Sequence, residues 1–227
     1  GVNDAPALRQ ADIGVAMGKS GTDVTRQAAG VVILDDNFAT IVAAVEEGRV
    51  IYQNIRRFIR SLLTSNRGEV LGMLFVLLAG LPVSLLPIQI LLVNLFTDGL
   101  PAIALGMEPA GRDLMSSPPR PREEGLFAHG LTRTILLRGT LLGLASSLVY
   151  GGALWLGCDL AVARSACFLA IVFSQMVHLF ECRDSGLLAN PLLLGAAGCS
   201  LAAAAASVYL PALQTVCGTA SVTGQPL

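Results

Sequence analysis

The stretch Val93–Gly106, VNLFTDGLPAIALG, lies inside a long apolar region, yet Asn94, Thr97 and Asp98 interrupt it. These three are spaced i, i+3, i+4 and so share one helix face. Gly99 and Pro101 follow, where a continuous helix would disfavour them. A charged side chain near the middle of a bilayer costs at least about 2.5–3.5 kcal/mol, and such residues mark functional sites. The segment therefore reads as a membrane span with a polar face and a break in its middle.

The rest of the chain supports a membrane setting. Of its 227 residues, 53% are hydrophobic and only 14% charged, against about 25% charged in soluble domains. The formal net charge of −1 decides nothing, because the charges cluster before residue 70 and between 107 and 138. No basic tract with interleaved aromatics is present, which argues against nucleic acid as a partner. Cys158, Cys167, Cys182, Cys199 and Cys217 form no CxxC pair and read as free thiols. The chain opens at Gly1 in what reads as a loop and has no signal peptide, so a piece of a longer protein is expected.

Residues 1–37 read as soluble α/β. ADIGVAMG and GVVILDD are strand-like, and GTDVTRQAA between them is a short helix with Thr22 or Asp23 as N-cap. Residues 38–59 then form a cytoplasmic stalk helix with apolar residues at helical spacing and charges on the other face. It continues without a break into the first of five expected spans: 60–79, 84–106, 131–156, 164–181 and 191–210, each near the ~20 residues a bilayer needs. The 80–87 turn carries no charge, whereas Arg112, Arg120 and Arg122 lie in the 107–130 loop and Arg49, Arg56, Arg57 and Arg60 in the stalk. The arginine asymmetry places Gly1 and the 107–130 loop in the cytoplasm, and the 211–227 tail outside it.

Glu69 lies ten residues before the uncharged turn and Asp98 eleven after it. At 1.5 Å per residue both carboxylates sit about 15 Å deep. Asn66 shares a face with Glu69, and Gln175 lies about 16 Å along its own span from Arg164. Asn66, Glu69, Asn94, Thr97, Asp98 and Gln175 thus bring oxygen ligands to one depth. Carboxylate, amide and hydroxyl oxygens are the hard donors that Ca2+ takes, in sets of about 6–8. No His or Cys joins them, which disfavours a soft metal. Gly99 and Pro101 free backbone carbonyls that can join the site. The bland alternative is that Asn94, Thr97 and Gln175 only hydrogen-bond helices together.

GVNDAPAL at 1–8, DDNFATIVAAVEEGRVIYQNIRRFIR at 35–60, SNRGEV at 65–70 and NLFTDGLPAIALG at 94–106 closely resemble the C-terminal part of P-type Ca2+-transporting ATPases of the sarco/endoplasmic reticulum type and its bacterial counterparts. PPRPREEGLF resembles the family's loop after the sixth membrane helix. The resemblance is strong over residues 1–130 and weak beyond. It implies a mainly α-helical polytopic membrane protein preceded by the remnant of an α/β haloacid-dehalogenase-like phosphorylation domain. Asn3 and Asp4 would then lie beside Mg2+ and the phosphoryl group, with ATP bound by upstream domains. Asn66, Glu69, Asn94, Thr97 and Asp98 match the family's ion ligands. Gln175 falls where the reticulum pump has a glutamate, and Arg67 is unexpected beside the ligands. It would either snorkel to the cytoplasmic side or hold positive charge near the site.

The resemblance further implies Ca2+ as the transported ion, H+ as a possible counter-ion, and a multi-pass location in a bacterial inner membrane. This stretch lacks the phosphorylated aspartate and the ATP pocket, so it is not expected to hydrolyse ATP alone. A pump for Mn2+ or a monovalent cation remains open, as does a truncated, non-catalytic ion-binding membrane module.

Overall fold

A computed structural model describes residues 1–97, 99–111, 114–121, 123–186 and 188–222. Asp98, Arg112, Arg122 and the end of the tail expected outside the cytoplasm lie outside the described residues. The chain divides into two compact units: Gly1–Ile51 with Leu114–Ser116, and Tyr52–Asp113 with Ser117–Leu227.

In the first unit a 3-10 turn, Val2–Asp4, leads into α1 (Ala5–Gln10), β1 (Val15–Met17), α2 (Asp23–Ala28) and β2 (Val31–Ile33). The strands are parallel, with Val15 opposite Val31 and Met17 opposite Ile33. Strand, helix and strand follow the expected order, and Thr22 rather than Asp23 is the N-cap, accepting from the Thr25 amide. Asp36 adopts φ 57°, and its carboxylate accepts the Lys19 and Ser20 amides at 2.8 and 2.7 Å. Those bonds, led by the Lys19 amide, hold its pKa below the ordinary aspartate value. Next to it Asp35 accepts the Thr40 hydroxyl at 2.7 Å, and the Asn37 side chain accepts the Ala39 amide at 3.0 Å. The Asn37 oxygen thereby satisfies one amide that the start of the following helix leaves open.

That helix, α3 (Ala39–Leu78), runs 40 residues without interruption. Its first part belongs to the first unit, where Arg49 donates to the Leu114 carbonyl at 2.8 Å. From residue 52 it belongs to the second, with α4 (Pro87–Thr97), α5 (Leu100–Leu105), α6 (Leu131–Trp155), α7 (Leu160–Glu181), α8 (Pro191–Tyr209) and α9 (Pro211–Cys217). Gly80, at φ 69°, ends α3 with its amide bonded to the Leu77 carbonyl.

Four described segments are long and apolar enough to cross a membrane: Pro87–Leu105, Leu131–Trp155, Leu160–Glu181 and Pro191–Tyr209. The tail of α3 is not among them, because Asn66, Arg67 and Glu69 occupy it. The 164–181 expectation starts four residues late. Asp159 is the N-cap of α7, so Arg164 lies in its second turn rather than before it. There its guanidinium donates to the Val83 carbonyl at 2.9 Å. Tyr150, fully buried, donates to the Pro82 carbonyl at 2.8 Å. Both side chains therefore fasten the uncharged 80–87 turn.

The expected amphipathicity of α3 is inverted in the second unit. Its buried side carries Asn54, Arg57, Ser61, Thr64, Ser65 and Glu69, while Ile55, Leu63, Val70, Leu74 and Leu77 are exposed. An apolar solvent explains this, since in lipid the polar groups must be satisfied inside the protein.

Close packing of α3 on α6 rests on two Gly-x-x-x-Gly pairs. A Cβ on Gly143 would lie 2.9 Å from the Gly68 carbonyl oxygen and 2.9 Å from the Gly72 amide nitrogen. Ser147 adds a bond to the Gly72 carbonyl at 3.0 Å. Small residues allow this backbone approach where lipid supplies no hydrophobic drive. Gly143→Ala should therefore cost about 1–3 kcal/mol by forcing the helices apart. Gly152→Ala, where nothing lies within 4 Å, should be neutral or stabilising by up to about 1 kcal/mol. Thermal unfolding of the two variants in detergent compares them, and equal midpoints would contradict the packing argument.

Candidate functional site

Glu69 and Gln175 are brought together. Both are buried, at 4% and 3% exposure, and the Gln175 amide nitrogen donates to a Glu69 carboxylate oxygen at 2.8 Å. Their positions are 106 residues apart in sequence, so the contact depends on the packing of α3 and α7. The Gln175 amide oxygen is buried and has no hydrogen-bond partner among the described residues, as is the Thr64 hydroxyl one and a half turns before Glu69. A buried unpartnered acceptor costs about 1–3 kcal/mol. An electropositive guest would relieve that cost.

The broken span carries further oxygens of its own. Gly99 has φ −79° and ψ −111°, outside the helical region, and separates α4 from α5. The Asn94 amide donates to the Ile90 carbonyl at 3.1 Å and the Thr97 hydroxyl to the Val93 carbonyl at 2.9 Å. The Thr97 hydroxyl thus directs its hydrogen and Asn94 one of its two into α4, and both side chains keep oxygen lone pairs that a cation could take. Thr97 is buried, whereas Asn94 and Asn66 are half-buried. Asp98 lies outside the described residues. Among the described residues no group of three His, Cys, Asp or Glu could hold a metal. The donors here are instead one carboxylate with amides and hydroxyls, the chemistry of a hard cation.

Arg67 is half-buried and directs its guanidinium along α6, where Nε donates to the Leu136 carbonyl at 3.4 Å. Gly139 makes room for its stem, because a Cβ there would lie 2.8 Å from the Arg67 Cδ. Leu136 lies in the second turn of α6, so the charge is drawn toward the 107–130 end of that helix.

Asn3 and Asp4 sit on the exposed 3-10 turn before α1. An exposed carboxylate and amide on one turn are donors of the type Mg2+ takes. Two side chains fall short of its octahedron and would leave room for phosphate oxygens and water.

Sequence reasoning missed a second buried charge. The Glu108 carboxylate, just beyond α5, is fully buried and accepts Arg183 Nε at 2.8 Å. Burial pushes its pKa up, but bonds from Ser185, Asn190 and Arg183 outweigh this and hold it below the ordinary glutamate value. The contribution to stability is present above that ordinary value and fades as pH falls through the lowered one. Glu108 and Arg183 are 75 residues apart in sequence, and no local pattern joins them.

All five cysteines are free thiols.

Residues 82–227 match the family model described as cation transporting ATPase, C-terminus. The calcium-transporting ATPase of Bacillus subtilis (strain 168) is 48% identical over 230 residues, covering 98% of this chain and 26% of that protein. Calcium-transporting ATPase 1 of Lactococcus lactis subsp. lactis (strain IL1403) is 43% identical over 195 residues, covering 86% of this chain and 22% of its own length. Calcium-transporting ATPase 4, endoplasmic reticulum-type, of Arabidopsis thaliana is 42% identical over 202 residues, covering 86% and 19%. The chain thus spans about a quarter or less of the length of these curated relatives. With the family model matching more than half of its length, the chain belongs to the family of cation-transporting ATPase C-terminal domains.

Proposed function

We propose that the chain is the C-terminal part of an ATP-driven pump that exports Ca2+ from the cytoplasm through an aspartyl-phosphate intermediate. The observation that carries this reading is the buried Glu69–Gln175 pair, whose unpartnered amide oxygen accompanies a span broken at Gly99. Glu69, Asp98, Asn94, Thr97, Asn66 and Gln175 are its ion ligands. The names of the relatives favour Ca2+ over Mn2+ or a monovalent ion.

Residues 1–37 close the phosphorylation domain, 38–59 form the stalk, and the 60–79 tail of α3 is the first of five spans. Because α3 is one uninterrupted helix, a displacement of its first half would be felt at Glu69. Asn3 and Asp4 would hold Mg2+, which when bound neutralises charge on the transferred phosphoryl group. Asp4 orients that charge from a fixed turn, and Asn3 supplies a neutral donor beside it. A protonated Glu69 would carry H+ back in exchange. The location is a bacterial inner membrane with the N-terminal end cytoplasmic.

ATP-driven uptake of 45Ca2+ by membrane vesicles containing the full-length pump tests this. Uptake is expected in inverted vesicles, where the nucleotide outside meets the cytoplasmic face, and not in right-side-out ones. Uptake in neither orientation, or uptake of Mn2+ but not Ca2+, would sink the calcium reading.

A further inference from the structure

Glu108 is not among the proposed ion ligands, yet its buried carboxylate accepts bonds from three side chains. One oxygen accepts Arg183 Nε and the Ser185 hydroxyl, and the other accepts the Asn190 amide at 2.9 Å. Asn190 spends its second hydrogen on the Ala104 carbonyl at 2.8 Å, and its own oxygen caps α8 by accepting the Leu193 amide at 3.1 Å. From the other side Asn54 of α3 donates to the Gly106 and Glu108 carbonyls at 3.0 and 2.9 Å. Arg57 then joins Asn54, at 2.7 Å, to Asp184, at 2.8 Å. Three elements are thus tied at the end of α5: α3, the residues after α7, and the start of α8.

Helix α5 needs such a tie. It has six residues and stands behind the break at Gly99, so backbone hydrogen bonding does not fix its position relative to α4. Ala104 and Leu105 pack against Met176, Leu179, Leu193 and Ala197, but apolar contact is non-directional and sets no register. Directional bonds to a buried carboxylate set one. The same bonds grip Arg183, eight residues after Gln175 on the α7 side, so they fix α5 against the helix that presents Gln175 to Glu69.

Stability alone accounts poorly for this arrangement. Replacing a buried ion pair by apolar residues is often neutral or stabilising, whereas removing one partner is strongly destabilising. A buried pair is then better explained by the geometry it enforces. We infer that Glu108 is a positioning residue for the cation site, acting through Arg183 and Asn190 to hold α5, which follows the break, in register with α7, which carries Gln175. This rests on the calcium-pump reading.

The test uses the full-length pump and two phosphorylation assays: from ATP as a function of Ca2+, and from inorganic phosphate without Ca2+. Glu108→Ala is expected to raise the Ca2+ concentration for half-maximal phosphorylation about ten-fold or more, as loss of hydrogen bonds to a charged group implies. Phosphorylation from inorganic phosphate, which needs no ion at the site, should stay within about two-fold of wild type. Glu108→Gln keeps an acceptor oxygen for Arg183 and should show a partial shift of about three-fold. An unchanged Ca2+ requirement in Glu108→Ala overturns the inference. So does a parallel loss in both assays with Glu108→Gln, which would mark a merely structural role. If Glu108→Ala does not fold, Glu108→Gln decides by the same two readings. A wild-type pump whose phosphorylation ignores Ca2+ would instead overturn the calcium reading, and this inference with it.

Discussion

Asp98→Asn in the full-length pump should abolish Ca2+-dependent phosphorylation by ATP, and Glu69→Gln should weaken it severely. A divalent cation in a low-dielectric site must be nearly neutralised by its ligands. Stripping one partner from a buried charge pair costs about 3–5 kcal/mol, or roughly 10²- to 4 × 10³-fold in ion affinity. Gln175→Ala removes only a neutral oxygen, and the loss should be nearer ten-fold, the scale of one hydrogen-bond-strength contact. The three variants should still be phosphorylated by inorganic phosphate in the absence of Ca2+, which separates an ion-site defect from misfolding. Titrating phosphoenzyme against free Ca2+ checks the order Asp98, Glu69, Gln175. Equal, small effects for all three would mean that these side chains only hold helices together.

Asp4→Asn should act at the other end. With the 3-10 turn intact and its charge removed, phosphoenzyme formation from ATP should fall about 10²- to 10³-fold, the usual effect of deleting one preorganised electrostatic group. Equilibrium Ca2+ binding should be unchanged, because Asp4 and Glu69 belong to different units of the chain. Rapid-quench phosphorylation at saturating Ca2+ measures the effect. Unchanged phosphorylation would remove Asp4 from the catalytic machinery.

Much of this architecture was legible in the sequence. The strand, short helix and strand before residue 37 follow from β-branched runs around a Thr-Asp cap, and the continuity of α3 from the lack of any proline between Ala39 and Leu78. The discontinuity at Gly99 follows from Gly and Pro placed within an apolar span. The failures share a cause. The amphipathic reading of residues 38–59 sets apolar residues on one face and charges on the other without saying which is covered, and in the second unit the polar Asn54 and Arg57 are the buried ones. A span that begins at Arg164 starts inside α7, because the helix begins at Leu160 and the arginine reaches Val83 from within it. The Glu108–Arg183 pair and the Glu69–Gln175 contact join positions 75 and 106 residues apart. Such pairings are set by helix packing, and local periodicity holds no record of them. The glycines at 68, 72, 139 and 143 did carry a spacing signal for close helix approach, legible once two such pairs are set against each other.

The proposed ion site has two carboxylates, Glu69 and Asp98, and a neutral glutamine. Two divalent ions would bring four positive charges to that cluster, with Gln175 already donating a hydrogen to Glu69. Arg67 reaches toward Leu136 and adds no negative charge. Equilibrium 45Ca2+ binding to the full-length pump, normalised to phosphorylatable sites, measures the outcome directly. The expected result is close to one Ca2+ per site in the wild type and none in Asp98→Asn. Cooperative binding of two, or an ion retained in Asp98→Asn, would contradict it.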